Sequence, residues 1–449
     1  MLASGDGQVF GQGGRMKMKL ILLFAFVFVS VNGHASNSYI IKLKKSSVRT
    51  QGAITVQSLR ALNQLGVKIR STIPELGMVV GELAPAQAAL FAQAAQGMIE
   101  YIEPNYKLPL FKSRSNPASY DETGQLWGMK VINAAGAWTV TTGSKSVIIA
   151  VSDTGAWKLH PDLQENIWKN PGETGKDSNG KDKSTNGVDD DGNGYIDDVI
   201  GWNFETDNND PRDDHYHGTH VSGTIGAAHN GFGVVGVNWN TSIMVVKFIG
   251  GDGSGTSENG IRTIIYAAQN GAKALNASWG GDDYSQAFVD ALDYAKERGM
   301  LFVAAAGNDG TDNDKIPAYP ASYENENVIS VASISGFDQT LSYFSCYGLK
   351  SVDLAAPGER IFSTFNPMYS SAHRDWYYYL DGTSMAAPHV TGAVGLIYAA
   401  NPKLNWRQVK DILLSTVTQS QKLKSKILTG GILNVEAAVK KAIALNQSN

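Results

Sequence analysis

Apolar and polar residues follow one pattern in the first quarter of the chain and another beyond it. The first pattern consists of three strand-like runs at residues 39–43, 78–83 and 99–105 and two helical stretches at residues 56–65 and 85–93. Together with one more strand, whose bounds the apolar pattern does not give, these elements predict a β-α-β-β-α-β unit. Such a unit forms an open antiparallel sheet backed by two helices, the small α+β arrangement called ferredoxin-like.

From Trp127 onward, buried strands alternate with amphipathic helices. The strand-like runs are residues 146–151, 243–247, 275–278, 301–304 and 328–331, and helical stretches include residues 261–269 and 288–296. This alternation predicts an α/β fold of three layers, in which helices cover both faces of a parallel sheet. In such folds the chemistry collects at the carboxyl ends of the strands.

The amino terminus has the pattern of an export signal. Lys17 and Lys19 precede an apolar run at residues 20–31, and small residues precede a predicted cut after Ala35. The alternative is a membrane anchor, but twelve helical residues rise only about 18 Å against a hydrocarbon core of about 30 Å. We therefore expect a secreted protein, extracellular or periplasmic, whose true start is Met1, Met16 or Met18.

Three segments follow from these patterns: a signal peptide at residues 1–35, a small domain at 36–112 and a main domain at 113–449, with residues 112–121 as a linker. Residues 36–115 carry 10 basic and 4 acidic side chains, whereas residues 116–449 carry 25 and 37. The two domains are therefore expected to attract each other, and the acidic body argues against nucleic acid as a partner. Cys346 is the only cysteine, so no intrachain disulfide forms.

Three segments place reactive side chains at the ends of predicted elements. A buried strand ends at Asp153, a helix begins near His217 in His-Gly-Thr-His, and Ser384 lies at the start of a helix in Asp-Gly-Thr-Ser-Met-Ala-Ala-Pro. Taken singly, the Asp is a turn or cap residue, the His a surface residue and the Ser an N-cap. Their joint occurrence in one order points instead to a nucleophile with its base.

These segments resemble the subtilisin-like serine proteases of peptidase family S8, which share the order Asp, His, Ser, and residues 36–112 resemble their inhibitor-I9-type propeptide. An α/β-hydrolase would have the order Ser, Asp, His and a Gly-x-Ser-x-Gly motif, which does not match. The resemblance implies a catalytic triad in which Ser384 attacks, His217 transfers the proton and Asp153 orients His217. It also implies that Asn308 donates to the oxyanion.

The resemblance also places a substrate groove. Gly253, Ser254 and Gly255 have little side-chain bulk, so a substrate strand can pair with their backbone. By the same resemblance, Ser278, Trp279 and Gly280 form the opposite edge, and Ala305, Ala306 and Gly307 line the pocket for the residue before the cut. Ala318 near the floor of this pocket predicts a preference for large apolar residues.

An acidic loop predicts the first of two structural calcium sites. Asp189, Asp191, Asn193 and the carbonyl of Tyr195 take positions 1, 3, 5 and 7 of a calcium loop. Ile200 replaces the usual glutamate at position 12, so Asp197 or Asp198 must close the shell, and we assign Asp198. The alternative is a solvated acidic loop.

A second calcium site is implied only by the resemblance. Its ligands would be the side chains of Asp162 and Asn230 and the carbonyls of Ala228, Phe232 and Val234. A zinc site using His215 and His220 is a weaker alternative, because the residues between these histidines match the protease motif.

The sequence therefore predicts a calcium-dependent serine endopeptidase that is made as a zymogen and acts as a monomer. Its partners would be polypeptide substrates and its own propeptide, with no nucleic acid and no membrane anchor. Two rivals stay open: a catalytically inactive binding protein of the same fold, and a specific processing enzyme instead of a broad degrader.

Overall fold

Alternation along the strands explains how both faces of the main sheet are covered. The computed structural model describes residues 37–48, 54–111, 126–369 and 376–447, which belong to one compact unit, Ser36–Asn449. Ile149 and Val151 belong to an apolar cluster on one face of the sheet, and Ala150 between them belongs to the cluster on the other face. Helices therefore have apolar surface to pack against on both sides.

The amino-terminal elements form a four-stranded antiparallel sheet in the order β2-β3-β1-β4. They are β1 (Ser38–Leu43), α1 (Val56–Gln64), β2 (Lys68–Ile73), β3 (Met78–Glu82), α2 (Pro85–Ala94) and β4 (Ile99–Pro104). The predicted β-α-β-β-α-β order is present, and β2 is the strand for which the apolar pattern gave no bounds. Its residues are mostly polar and partly exposed, as expected at the edge of a sheet.

The main domain contains a nine-stranded sheet in the order β16-β17-β13-β12-β11-β10-β6-β8-β7, parallel except at β16. Its strands are β6 (Gly143–Asp153), β7 (Gly201–Asn203), β8 (Asn240–Lys247), β10 (Ala274–Ala277), β11 (Leu301–Ala305), β12 (Val328–Ile334), β13 (Leu354–Pro357), β16 (Thr418–Gln419) and β17 (Gly431–Ile432). Two short pairs lie outside it: β5 (Lys107–Pro109) with β9 (Ser254–Thr256), and β14 (Ile361–Thr364) with β15 (Tyr377–Leu380).

The helices divide between the two faces. One face carries α3 (Trp127–Val131), α4 (Ala134–Trp138), α5 (His217–Gly226), α8 (Thr383–Ala400), α9 (Trp406–Ser415) and α10 (Val435–Gln447), and the other carries α6 (Ser257–Gln269) and α7 (Gln286–Glu297). Short 3₁₀ turns occur at Lys45–Ser47, Pro74–Leu76, Lys183–Thr185 and Pro367–Tyr369. This arrangement confirms the predicted three-layer α/β class.

The small sheet has an apolar surface on both sides, and the two surfaces have different partners. Ile41, Leu43 and Val79 pack with residues of α1 and α2 in the small domain's own core. Ile40 and Val80 point to the opposite side and join the cluster that contains α6 and α7. Since successive residues of a strand face opposite sides, one short sequence supplies both a core and a contact with the main domain.

The predicted signal peptide at residues 1–35 and the linker at 112–121 lie outside the described residues. Among the residues that the structure does describe, no helix is long and apolar enough to cross a bilayer.

Candidate active site

Asp153 and His217 form the central contact of the site. β6 ends at Asp153 and α5 begins at His217, so the sheet edge and a helix terminus bring them together. Nδ1 of His217 lies 2.8 Å from Oδ1 and 3.0 Å from Oδ2 of Asp153, and both side chains are fully buried. The carboxylate therefore holds the tautomer with hydrogen on Nδ1, which leaves Nε2 to accept a proton.

A glycine and a buried carboxylate allow α5 to approach the end of β6. A Cβ on Gly218 would lie 2.1 Å from the carbonyl oxygen of Gly155, so no larger residue fits there. Asp213 accepts hydrogen bonds from Oγ1 of Thr154 at 2.8 Å and from the backbone N–H of Thr219 at 3.0 Å. Burial raises the pKa of Asp213 to about 6. The sequence analysis missed this positioning residue, although an acidic residue just before a helix start is a recognisable signal.

Ser384 is the second residue of α8, a helix that packs on β6, β10 and β11. Its hydroxyl donates to the carbonyl of Ser278 at 2.9 Å, and the hydroxyl of Ser278 donates to the carbonyl of Ser384 at 2.8 Å. Nε2 of His217 is buried and has no hydrogen-bond partner among the described residues. The hydroxyl of Ser384 is thus bonded to Ser278, and Nε2 of His217 is available to accept a hydrogen bond.

Asn308 is fixed at the amino end of α8 by Thr383. Oδ1 of Asn308 accepts from the backbone N–H of Thr383 at 2.9 Å and from its hydroxyl at 2.8 Å. These bonds identify the other end of the amide, Nδ2, as the donor end. A Cβ on Gly382 would lie 3.1 Å from this Nδ2, and Gly382 has φ +155°. Glycine therefore keeps the space next to the amide donor open.

The predicted substrate groove has two backbone edges, and an extended segment of the chain lies between them. On the first edge, β9 pairs antiparallel with β5, and the carbonyl of Gly253 accepts from the N–H of Leu110 at 2.8 Å. On the second edge, Leu110 bridges Trp279, and the N–H of Gly280 donates to the carbonyl of Pro109 at 3.3 Å. The structure thus brings both predicted edges against one strand of the protein itself.

The residues predicted to line the pocket lie at the end of β11 and directly after it. Ala305 and Ala306 are fully buried. Gly307 has φ +111°, and a Cβ there would lie 3.0 Å from Sγ of Cys346 and 3.6 Å from Cβ of Ala318. Ala318 therefore adjoins this wall, and the buried Cys346 lies behind it. Their roles in binding substrate stay predictions.

The acidic loop converges on a carboxylate that the sequence analysis did not name. One oxygen from each of Glu173, Asp189 and Asp191 lies within 4.8 Å of the others. Glu173 is fully buried; its Oε1 accepts from the N–H of Asp190 at 2.7 Å, and its Oε2 has no partner among the described residues. Burial raises the pKa of Glu173, and the nearby carboxylates of Asp198 and Asp191 add to the rise.

The predicted ligands of this loop also have protein partners, and Asp189 and Asp191 accept hydrogen bonds from within and beside the loop. Asp198 is buried and accepts from Nδ2 of Asn170 at 2.7 Å, Nδ2 of Asn193 at 2.9 Å and the hydroxyl of Tyr266 at 2.5 Å. Asn193 accepts from the N–H of Tyr195 at 2.8 Å. The all-oxygen set of Glu173, Asp189 and Asp191 suits a hard cation such as calcium, and the partnerless buried oxygen fits a ligand position. Glu173, the third carboxylate of this set, comes from a separate loop. That loop lies close to the acidic loop because Gly172 packs tightly on Asp191.

The second predicted calcium loop is bonded differently. Asp162 is fully buried, and its Oδ1 accepts from Nδ2 of Asn230 at 3.0 Å. Its Oδ2 accepts from the N–H of Val234 at 2.9 Å and the hydroxyl of Tyr377 at 3.0 Å. The N–H of Ala228 donates to the backbone carbonyl of Asp162 at 2.7 Å. The loop contacts are present, but the carboxylate is already satisfied by protein donors.

The neighbouring histidines do not support the zinc alternative. Nε2 of His220 lies 3.0 Å from the carbonyl of Ile361 and 3.1 Å from that of Tyr378, so it carries a hydrogen. Burial lowers the pKa of His220 to about 3, which keeps the ring neutral. Nδ1 of His215 accepts from the N–H of His217 at 3.3 Å. These bonds occupy one nitrogen of each ring, and among the described residues neither histidine belongs to a cluster of side chains that could hold a metal ion.

A three-layer α/β fold with a buried Asp–His pair and a serine at a helix start defines a serine peptidase of the subtilisin class. The family model described as Subtilase family, peptidase S8, matches residues 144–430, which is more than half of the chain. The chain belongs to the subtilase family and is a serine peptidase of that family.

Individual relatives agree with this membership. A thermophilic serine proteinase of Bacillus sp. (strain AK1) is 34% identical over 347 residues, which cover 76% of this chain and 74% of the relative. Subtilisin-like protease 1 of Plasmodium berghei (strain Anka) is 35% identical over 341 residues, 72% of this chain and 54% of the relative, so the match spans about half of that longer protein.

A solved structure covers still more of the chain. Fervidolysin from Fervidobacterium pennivorans, described as a keratinolytic enzyme related to subtilisin, matches with a TM-score of 0.70 and 25% identity over 92% of this chain and 62% of that chain. This likeness extends beyond the family domain.

Proposed function

We propose that this subtilase is a secreted endopeptidase that hydrolyses proteins through Ser384, His217 and Asp153 and is made as a self-inhibited zymogen. The observation that carries the proposal is the buried pair of Asp153 and His217, in which Nδ1 is held at 2.8 Å and Nε2 is left without a partner. A histidine held in this way is poised to remove the proton of a nearby hydroxyl.

The chemistry follows from these positions. Ser384 turns its hydroxyl from Ser278 toward His217, gives its proton to Nε2 and attacks the peptide carbonyl carbon. Asp153 stabilises the imidazolium that forms, and His217 then protonates the departing amine. The negative charge on the carbonyl oxygen is met by Nδ2 of Asn308 and by backbone N–H groups at the amino end of α8. Water hydrolyses the resulting acyl-enzyme by the same proton transfers.

The zymogen proposal is supported by the contacts of the small domain. In β4, Glu103 accepts from the hydroxyl of Ser285 at 2.6 Å and from the N–H groups of Gln286 and Ala287 at 3.0 and 3.2 Å. These donors belong to the first turn of α7 and its N-cap, where a negative charge is stabilising.

Asp290 of α7 strengthens the same contact. It accepts from Nζ of Lys42 at 2.7 Å and from the hydroxyl of Tyr101 at 3.0 Å. Together with β5 in the groove, these bonds hold the small domain where a substrate would bind. A small domain held in this way inhibits the enzyme until the chain between the two domains is cut and the small domain is degraded.

Calcium belongs to the proposal as a structural ion. Glu173, Asp189 and Asp191 would hold it, and its charge would relieve the repulsion among three carboxylates in one loop cluster. The hydrogen bonds that already satisfy Asp162 give the second site less support. Secretion is proposed from the basic, apolar and small-residue pattern of residues 1–35, and a preference for apolar residues before the cut from the small uncharged pocket.

The test compares the full chain with a Ser384→Ala variant, both exported from the same host. We expect the wild type to release a smaller mature form that hydrolyses casein and is inactivated by phenylmethylsulfonyl fluoride. We expect Ser384→Ala to stay at precursor size after signal removal and to be inactive.

A folded wild-type protein with no hydrolysis of casein would favour the inactive binding protein, for which the bond from Ser384 to Ser278 is the supporting observation. A profile of peptide substrates separates the two active alternatives, because a processing enzyme would cut few sequences and a degrader many.

A further inference from the structure

A buried lysine lies beside the catalytic pair. Lys247 is the last residue of β8, and in the parallel pairing of β8 with β6 it lies opposite Asp153, the last residue of β6. The backbone N–H groups of the next two residues, Phe248 and Ile249, donate to the carbonyl of Asp153 at 3.1 and 3.3 Å. The end of β8 therefore supports the end of the strand that carries the catalytic carboxylate.

The side chain of Lys247 is 1% exposed, and a buried ammonium group is costly unless it is hydrogen-bonded and paired. It donates three hydrogen bonds, to the carbonyl of Thr154 at 3.0 Å, to Oδ1 of Asp214 at 2.7 Å and to the carbonyl of Ile249 at 2.6 Å. The first partner directly follows Asp153 in the chain, and the second lies three residues before His217. One ammonium group thus joins the segments that lead away from one catalytic residue and toward the other.

Thr154 connects this ammonium group to the catalytic carboxylate. The backbone N–H of Thr154 donates to Oδ1 of Asp153 at 2.8 Å. The hydroxyl of Thr154 accepts from the N–H of Gly218, the second residue of α5, at 2.9 Å. Because Lys247 holds the carbonyl of the same residue, it restrains the backbone rotation that would turn this N–H away from the carboxylate.

The loop before α5 is held from two sides. On one side the buried Asn366 donates from Nδ2 to the carbonyls of Asp213 at 2.8 Å and His215 at 3.0 Å. On the other side Lys247 holds the carboxylate of Asp214, whose side chain is 51% exposed. The ion pair therefore fixes the segment that leads into α5 relative to β8.

We infer that Lys247 is a positioning residue for the catalytic pair of Asp153 and His217. Its ammonium group holds Thr154 and Asp214, and it thereby keeps the carboxylate in line with Nδ1 of the imidazole. The effect of Lys247 on the rate passes through these neighbours, because its three bonds go to them and to Ile249. This inference rests on the proposed function and adds a residue outside the triad to it.

The first measurement compares Lys247→Met with a matched lysine far from the site. Lys410 of α9 donates to the carbonyls of Glu326 and Val328 at the amino end of β12, whereas the site lies at the carboxyl ends of the strands. Methionine keeps a stem of similar length without the donors. Each precursor is matured by wild-type enzyme on beads, which are removed before the assay, and kcat is measured per titrated active site.

We expect Lys247→Met to lower kcat on a peptide p-nitroanilide by about tenfold or more, with KM within about threefold of wild type. We expect Lys410→Met to keep kcat within about twofold, even if its urea unfolding midpoint falls as far. A wild-type kcat in folded Lys247→Met, or equal losses of kcat in the two variants, would overturn the inference.

The second measurement changes only partly exposed residues, so it stands even if Lys247→Met does not fold. Carboxylates of Asp214 and Glu205 lie 2.7 and 3.5 Å from Nζ of Lys247, but only Asp214 belongs to the loop before α5. We expect Asp214→Asn to lower kcat by about threefold or more and Glu205→Gln to keep it within about 1.5-fold. Since both changes remove one negative charge near the ammonium group, equal kcat values would contradict positioning through the loop.

The third measurement does not depend on turnover. In the full chain with Ser384→Ala, the hydrogen between Nδ1 of His217 and Asp153 should give a proton NMR signal far downfield of the backbone amides, and its loss in His217→Ala assigns it. We expect Lys247→Met in this background to shift or broaden the signal and Lys410→Met to leave it in place. An unchanged signal in folded Lys247→Met would overturn the inference.

Failure of this inference and failure of the proposed function give different results. A wild-type kcat and an unchanged signal in Lys247→Met would overturn the positioning role and leave proteolysis through Ser384 intact. Absence of any hydrolysis by folded wild type would overturn the proposed function, and the NMR comparison would still decide whether Lys247 positions the pair.

Discussion

Among the described residues, several buried side chains keep a polar atom without a hydrogen-bond partner, and two of them, His217 and Glu173, differ in how the fold assembles their surroundings. Nε2 of His217 and Oε2 of Glu173 are both enclosed and unbonded among the described residues. Asp153, at the end of a strand of the main sheet, holds His217 by a hydrogen bond to Nδ1. Glu173 is held by backbone N–H groups of the acidic loop, at Asp190 and Asp191.

The comparison shows two uses of the same physical situation. An unsatisfied polar atom in the interior costs about 1–3 kcal/mol. Other buried side chains, such as Ser222 and Ser330, also keep one, so the neighbouring residues must show what compensates that cost at His217 and at Glu173. At His217 the proposed compensating partner is the serine proton during catalysis. At Glu173 the proposed partner is a cation, because the neighbours Asp189 and Asp191 are also carboxylates. Variants that change the catalytic pair without the acidic loop, or the acidic loop without the catalytic pair, therefore test whether the two unpartnered atoms have different roles.

The largest effect is expected at the catalytic region. Asn308→Ala removes the amide donor for the oxyanion, and we expect kcat to fall by about 10²–10³ with little change in KM, the size of loss found when the corresponding donor of subtilisin is removed. Steady-state kinetics on a peptide p-nitroanilide measures it, and the unfolding midpoint of the variant checks that the fold is intact. A kcat within about fivefold of wild type would exclude Asn308 from the oxyanion site.

An intermediate effect is expected at the acidic region, on stability instead of turnover. In a Ser384→Ala background that prevents self-digestion, calcium should raise Tm, because an ion that binds only the folded state stabilises it. Glu173→Gln should remove about half or more of that rise. Asp190→Asn removes the same charge from the same loop, but Asp190 pairs with Lys183 and Asn186 outside the carboxylate cluster. It should keep the rise, and equal losses in both variants would contradict a specific site at Glu173.

The smallest effect concerns a buried histidine that has no carboxylate partner. His389 donates from Nδ1 to the carbonyl of Met385, and burial lowers its pKa to about 4. The folded state thus binds its proton less readily than the unfolded chain, with an ordinary pKa of about 6.5, so its stabilising contribution is present above pH 6.5 and is lost as pH falls toward 4.

The prediction follows from that sign. Relative to wild type, His389→Gln should gain free energy of unfolding as pH falls from 6.5 to 4, with a slope that approaches about 1.4 kcal/mol per pH unit. Urea unfolding at several pH values measures it, and the exposed His229→Gln serves as the control. A pH-independent difference between His389→Gln and wild type would mean that His389 titrates normally.

Sequence reasoning reached the fold and the family because their signals are local. Apolar runs that alternate with helical stretches predicted the parallel sheet, and the motifs around Asp153, His217 and Ser384 lie at element ends where such chemistry occurs. β2 received no bounds because an edge strand with polar residues lacks an apolar pattern.

The features that were missed depend on contacts between distant segments. Glu173 meets Asp189 through the packing of two loops, and no spacing rule joins them. The pairing of β5 with β9, and of Leu110 with Trp279, also joins segments that are far apart in the chain. The hydrogen bond from Ser384 to Ser278 likewise depends on a side-chain rotation that sequence does not encode.

The central claim, that Ser384 is the nucleophile served by His217, is tested most directly by mapping a covalent inhibitor. Mature wild type is treated with phenylmethylsulfonyl fluoride, digested and analysed by mass spectrometry. We predict a single sulfonyl adduct on Ser384 that forms in step with the loss of activity, and no adduct in a His217→Ala protein whose prosegment has been removed by added wild-type enzyme. Full inactivation with Ser384 unmodified, or modification of Ser384 at the same rate without His217, would contradict the account.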